Sequence, residues 1–324
     1  MNNKITSEGK GIATGLAGGL LWGLDTVLVG VILAMSPLSG AVALAPLVST
    51  FLHDFFSSIW MLIYTAFHKN LKNFIKSWPK RSGRFVTIAA LFGGPIGMTG
   101  YMLSIRYIGA SNTAIISAMY PAVGAFFGYL FLKERMSKRG FLGLAIAMGA
   151  TMILGFTSPE APQNIVLGIL FALLCVFGWG MEAVITAYGM KNDLLPDLAL
   201  QIRQLVSALV YGIFIIPIIG GYPLVLEIIQ SPAIIVIALT ALAGTSSYLC
   251  YYRSIDSIGA IKAMGLNISY SAWAIFIGIF FGNGISFKEV ILAVLIIAGS
   301  ILTTDNPKEF LQIFILKPKK STEI

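Results

Sequence analysis

The run GIATGLAGGLLWGLDTVLVGVILAM, Gly11–Met35, decides how this chain is read. It is long enough to cross a bilayer core of about 30 Å, which takes roughly 20 apolar residues in a helix. It holds one charged residue, Asp25. Trp22 and Asp25 are three apart and so share a helix face. Trp22 lies roughly 16 Å from the start of the run, near the centre of a bilayer. Membrane tryptophans normally collect at the interfaces instead, as Trp60 and Trp78 are expected to do. A carboxylate in hydrocarbon is costly and by default marks a substrate or ion pathway.

Further runs of the same kind fill the chain. Of its 324 residues, 57% are hydrophobic and 11% charged, against roughly 25% charged in soluble domains. Ten spanning segments are expected, at 11–35, 42–66, 85–106, 111–132, 138–157, 164–189, 197–219, 232–252, 259–281 and 287–304. Ser36-Pro37, Ser158-Pro159 and Gly220-Gly221-Tyr222-Pro223 read as turns between them. The first run is of spanning length and lacks a small-residue cleavage site, so it reads as an anchor, not a cleaved signal. Cys175 and Cys250 sit inside apolar runs with no Cys or His cluster nearby, so no metal site, cofactor or disulfide is expected.

The net charge of +8 is explained by orientation, not by nucleic acid. With the N-terminus in the cytoplasm, all of the 22 lysines and arginines except Arg106 and Lys288 fall on the inner side or close to it. Lys4 and Lys10 precede the first segment, and Lys69, Lys72, Lys76, Lys80, Arg81 and Arg84 join the second to the third. Lys133, Arg135, Lys138 and Arg139 join the fourth to the fifth. Lys191, Arg203, Arg253, Lys262, Lys308, Lys317, Lys319 and Lys320 follow, Arg203 within a helix. This asymmetry is expected to put both termini in the cytoplasm of a multi-pass protein of the cell inner or plasma membrane.

The chain also repeats itself at about 150 residues. Trp22-Gly23-Leu24-Asp25 returns as Trp179-Gly180-Met181-Glu182. His53-Asp54 and Ser57 match Arg203-Gln204 and Ser207, Tyr101 and Arg106 match Tyr248 and Arg253, and Tyr120 matches Tyr270. Five helices per half is an odd number, so the second copy must be upside down. The expected fold is all-α and polytopic: ten transmembrane helices as two inverted five-helix repeats. The first spans 1–157, the second 158–304, and 305–324 forms a basic cytoplasmic tail. Inverted repeats of this kind place a transporter's site at the midplane between the halves.

The residue types there favour a cation. Tryptophan offers the best aromatic face to a cation, worth about 2 kcal/mol when desolvated. Two buried acids, Asp25 and Glu182, would do little for a neutral or anionic substrate. Packing is the competing role for Trp22 and Trp179, and a structural hydrogen bond the competing role for the acids. Asp54 and Arg203 read as an internal ion pair across the two halves. His53, with an ordinary pKa near 6.5, reads either as a proton carrier or as a hydrogen-bonded bundle residue. Tyr248 and Tyr252, four apart, share a face with Tyr101 as the match to Tyr248; they line the site or an interface belt. Tyr120-Pro121 and Tyr270 read as packing or gating. The glycines permit close helix contact and form no phosphate loop.

Tyr120-Pro121…Lys133-Glu134-Arg135-Met136-Ser137…Gly140…Gly149 closes the first half, and with the ten-helix pattern it resembles the EamA branch of the drug/metabolite transporter superfamily. The second half departs from it: Ser271 stands in place of Pro121, and Gly282-Asn283-Gly284 replaces the Lys-Glu step. Within the superfamily, paired Trp22 and Trp179 with aromatic company look like the Lic-type bacterial choline permeases. That resemblance implies an aromatic box around a trimethylammonium group, with Trp22 and Trp179 in its walls.

The function expected is therefore secondary transport of a small organic cation, choline or a related quaternary amine, inward by alternating access. Proton coupling through His53 or a carboxylate is open, and the residues carry no signal for oligomeric state. An exporter of amino acids or other small metabolites is the alternative, with Arg203 as its cationic group. No HExxH or Ser/His arrangement points to an enzyme.

Overall fold

A computed structural model describes residues 7–156, 163–191 and 194–306. Lys4, Lys308, Lys317, Lys319, Lys320, the Ser158-Pro159 turn, the 157/158 boundary and the tail beyond Asn306 lie outside the described residues. Within them the chain is helical, with no strand. Helix α1 spans Ser7–Ala34, α2 Ala45–Phe67, α3 Leu71–Ser77 and α4 Arg81–Leu91. A π-helical stretch, Phe92–Met98, runs α4 into α5, Thr99–Ser117. Then come α6, Tyr120–Phe127, α7, Lys138–Gly155, and α8, Ile165–Met190. Helix α9, Pro196–Val210, continues through Tyr211–Ile215 into the short α10, Ile216–Ile218. The last five are α11, Tyr222–Ile229, α12, Ala233–Ile258, α13, Ala260–Asn267, α14, Tyr270–Ile279, and α15, Phe287–Leu302.

Among the described residues, eight helical runs are long and apolar enough to cross a membrane. The difference from ten arises in two places. Arg81–Ser117 counts as one run of 37 residues, yet Gly109 breaks its helical geometry at φ 82, ψ 164, between the expected segments 85–106 and 111–132. Tyr120–Leu132 and Phe287–Leu302 are apolar but shorter than the roughly 20 residues a straight span needs. Gly259, between α12 and α13, has nearly the same geometry as Gly109, φ 88 and ψ 163. Such backbone angles are essentially glycine-only.

Packing brings distant parts of the chain together. Helix α1 lies on α12 and α14, α8 lies on α4, α5 and α6, α2 lies on α9, and α7 lies on α15. The contacts are close because glycines line them. In Phe92–Met98, Pro95 has no N–H for the ladder and the helix widens. Gly93 and Gly97 then lay bare backbone against α8. A Cβ on Gly97 would stand 2.7 Å from Trp179 Cδ1, and one on Gly93 would collide with the Glu182 carboxylate. These gaps fix where the two α8 residues stand.

One end of the bundle is tied by polar contacts. Glu134 takes the backbone N–H of Ala260 at 3.0 Å and of Ile261 at 2.9 Å, and Arg253 donates to the Tyr64 hydroxyl at 2.8 Å. Asp305, expected at the start of a solvated tail, is exposed and is held by Lys262 and Arg139.

Gly259→Ala is expected to lower the unfolding temperature in detergent, by the equivalent of about 1–3 kcal/mol of backbone strain. Gly30→Ala, with open space around it, should leave the temperature unchanged or slightly higher. Equal behaviour of the two variants would show that the Gly259 geometry is not needed.

Candidate functional site: an aromatic cage beside a buried charge network

Helices α1 and α8 each present tryptophan and carboxylate one turn apart, but the two carboxylates end up in different company. Glu182 accepts from Arg203 Nε at 3.0 Å and from the Tyr252 hydroxyl at 3.3 Å. Asp25 meets His53 Nε2 at 2.8 Å. Asp54, on α2, accepts from Arg203 Nη1 at 3.2 Å and from the Ser207 hydroxyl at 2.5 Å. His53 Nδ1 stands 3.7 Å from Asp54. Arg203 also donates to Gln204 Oε1 at 2.7 Å and the Tyr248 hydroxyl at 3.0 Å, with its guanidinium 4.5 Å from the Tyr248 ring centre. Arg203 is 2% exposed, and Asp54 and Glu182 are 5% exposed.

The network therefore holds three carboxylates against one guanidinium and one imidazole. With His53 protonated or neutral, the acids are in excess. Charges removed from water must be paired or neutralised, by a counter-charge or by protonation of an acid.

A small cavity lies beside the network. Its walls are the rings of Trp22, Tyr120, Trp179, Tyr248, Tyr251 and Tyr270, completed by Glu182 and Asn267. The rings brace one another: Trp22 to Tyr248 at 4.8 Å between centroids, Trp22 to Tyr270 at 6.1 Å, and Tyr120 edge-on to Trp179 at 5.9 Å. Ring faces carry partial negative charge, so a box of them with one carboxylate suits a soft, poorly hydrated cation. A second, larger cavity shares Trp22 and Tyr248 with the first. It passes Asp25, His53, Asp54 and Arg203 toward Val29, Ile32 and Leu33 near the end of α1.

The residues singled out in the sequence divide accordingly. Trp22, Trp179, Glu182 and Tyr248 line the box, and Asp54 with Arg203 forms the ion pair anticipated for them. Asp25 lines the second cavity, since α1 turns its carboxylate toward His53 and the bare backbone of Gly244. Tyr101 backs Trp179, with centroids 5.3 Å apart, and Tyr252 stands behind the wall, holding Glu182. Tyr120 and Tyr270, read as packing or gating, line the box, and so do Tyr251 and Asn267. The matched spacing of Tyr120 and Tyr270 was the available signal; nothing in the pattern marked Asn267. Cys175 and Cys250 are free thiols, and no acid, histidine and cysteine cluster suited to a metal occurs among the described residues.

Two stretches of the chain, 9–156 and 166–305, match the EamA-like transporter family. Protein LicB of Haemophilus influenzae is 30% identical over 297 residues, spanning 91% of this chain and 97% of that protein. A crystal structure of a protein superposes with a TM-score of 0.68 at 15% identity, covering 91% of this chain and 97% of the other. At that identity the likeness bears on the fold alone.

Arg203→Gln removes the guanidinium that bridges Glu182 and Asp54. Loss of one partner from a buried pair costs about 3–5 kcal/mol, so the variant should melt well below the parent or fail to accumulate. Adding Glu182→Gln to the same chain should restore part of the loss. No restoration would mean that Arg203 acts through packing alone.

Proposed function

The chain belongs to the EamA-like transporter family, and on that premise we propose that it imports a small organic cation, choline or a related quaternary amine. The observation that carries this is the six-ring box with Glu182 in its wall, set against a network richer in acids than in bases. The sequence resemblance to Lic-type choline permeases points the same way. Trp22 and Trp179 would stack on the ammonium methyls and Glu182 would supply negative field.

We read the architecture as ten spans in two inverted halves, 1–157 and 158–304, with both termini cytoplasmic in the cell membrane. Exchanging the halves carries each major helix contact onto another: α1 on α12 becomes α8 on α5, and α1 on α14 becomes α8 on α6. The matching geometry of Gly109 and Gly259 and the two stretches that match the family add to this. In that orientation the larger cavity leads from the box toward the outer surface, and the Glu134 contacts close the inner end. Rocking of the halves would then release the cation inward. His53, between Asp25 and Asp54 on the wall of the larger cavity, is the candidate for proton coupling.

An amino-acid exporter needs a cationic group for the substrate carboxylate. Arg203 is already held by Glu182, Asp54, Gln204 and Tyr248 and does not line the aromatic box, so that reading has less support.

Proteoliposomes containing the parent are expected to accumulate labelled choline. Trp22→Ala and Trp179→Ala should each reduce uptake at least tenfold, as loss of a desolvated cation–ring contact of about 2 kcal/mol predicts. Variants that transport like the parent rule out the cage. His53→Gln should keep choline binding while uptake stops responding to an imposed pH gradient; an unaltered response removes His53 from coupling.

A further inference from the structure

Among the residues that line the box, Asn267 is the one side-chain amide. Asn267 ends α13, three residues before Tyr270; the matching position before Tyr120 is Ser117. The Ser117 hydroxyl is satisfied by the carbonyl of Ala114 at 3.1 Å. Asn267 is different. It is 6% exposed and lines the cavity, and its Nδ2 donates to the Tyr120 hydroxyl at 3.3 Å. Its Oδ1 accepts a hydrogen bond from no donor among the described residues. A buried acceptor left this way is costly, and a native structure ordinarily supplies a partner.

We infer that Asn267 Oδ1 reads a hydrogen-bond donor on the substrate, so that the transported cation is a hydroxyl-bearing amine, bound with its ammonium against the rings and its O–H at Asn267. The inference deepens the cation reading and rests on it. A substrate carboxylate at the same place is disfavoured, because the adjoining network already carries more acids than bases. Glu182 is the charged acceptor in the wall, and its Oε1 takes Arg203 and Tyr252. Its charge serves the ammonium end. A site built to bond a hydroxyl rejects the analogue lacking one, because its own polar group is then left unpaired. Asn267 is thus a specificity residue: it separates amino alcohols from alkylammonium ions of similar size and from betaines.

The test is equilibrium binding to the full-length chain in detergent, with choline, its O-methyl ether and glycine betaine as probes. In the parent, choline should bind about tenfold more tightly than the ether, the worth of one hydrogen bond to a buried group. Betaine should be weaker than choline. In Asn267→Ala the ratio of choline to ether should fall to within about twofold, with the ether's own affinity unchanged. Equal affinities in the parent, betaine matching choline, or a preference for choline that survives in Asn267→Ala each overturn the assignment while leaving the cation reading intact. The parent ratio decides even if the variant does not fold. Binding of none of the three overturns the cation reading, and this inference with it.

Discussion

Arg203 is the constraint on which the rest of the site depends. It is a guanidinium in the middle of α9, 2% exposed, where solvation by water is replaced by fixed partners. Glu182 comes from α8, Asp54 from α2, and the Tyr248 hydroxyl from α12. One side chain therefore sets the mutual positions of four helices drawn from both ends of the sequence. Guanidinium suits the task because its planar fork serves several acceptors at once. The network holds three carboxylates, Asp25, Asp54 and Glu182, against one guanidinium and one histidine. A cavity walled by rings lies against that network.

Much of this was legible in the residues. Apolar runs of spanning length announce a membrane protein, and buried acids announce a pathway, because hydrocarbon penalises both exposed backbone and unpaired charge. The pairing of Asp54 with Arg203 could be read from their depth and opposite sign. What was not legible has local causes. Helical residues turn about 100° each, so a run such as Tyr248, Tyr251 and Tyr252 does not reveal which rings face inward. The structure turns Tyr248 and Tyr251 to the box and Tyr252 to Glu182. Phe92–Met98 and Tyr211–Ile215 are π-helical, and each shifts the register of everything after it. Asp25 left the box for the same reason of direction: α1 presents its carboxylate to His53. Asn267 gave no signal, since an asparagine ending a helix is ordinary until its carbonyl is found without a donor.

The two stretches that match the family differ in detail. Trp22 and Trp179 occupy matching places, but one adjoins Asp25 paired with His53 and the other Glu182 paired with Arg203. Ser117 is satisfied within its own helix, and Asn267 is not. Glu134 ties its loop to the turn at Gly259, while Gly282-Asn283-Gly284 stands where the second half would carry a corresponding acid.

The central claim is that the acid-rich aromatic site takes a cation. A thermal-shift screen of the solubilised chain against choline, betaine, ethanolamine and amino acids tests it most directly, since a ligand that binds the folded state raises its apparent stability by mass action. Choline should raise the melting temperature in a concentration-dependent way, and amino acids should not. Stabilisation by an amino acid with no response to any amine would contradict it.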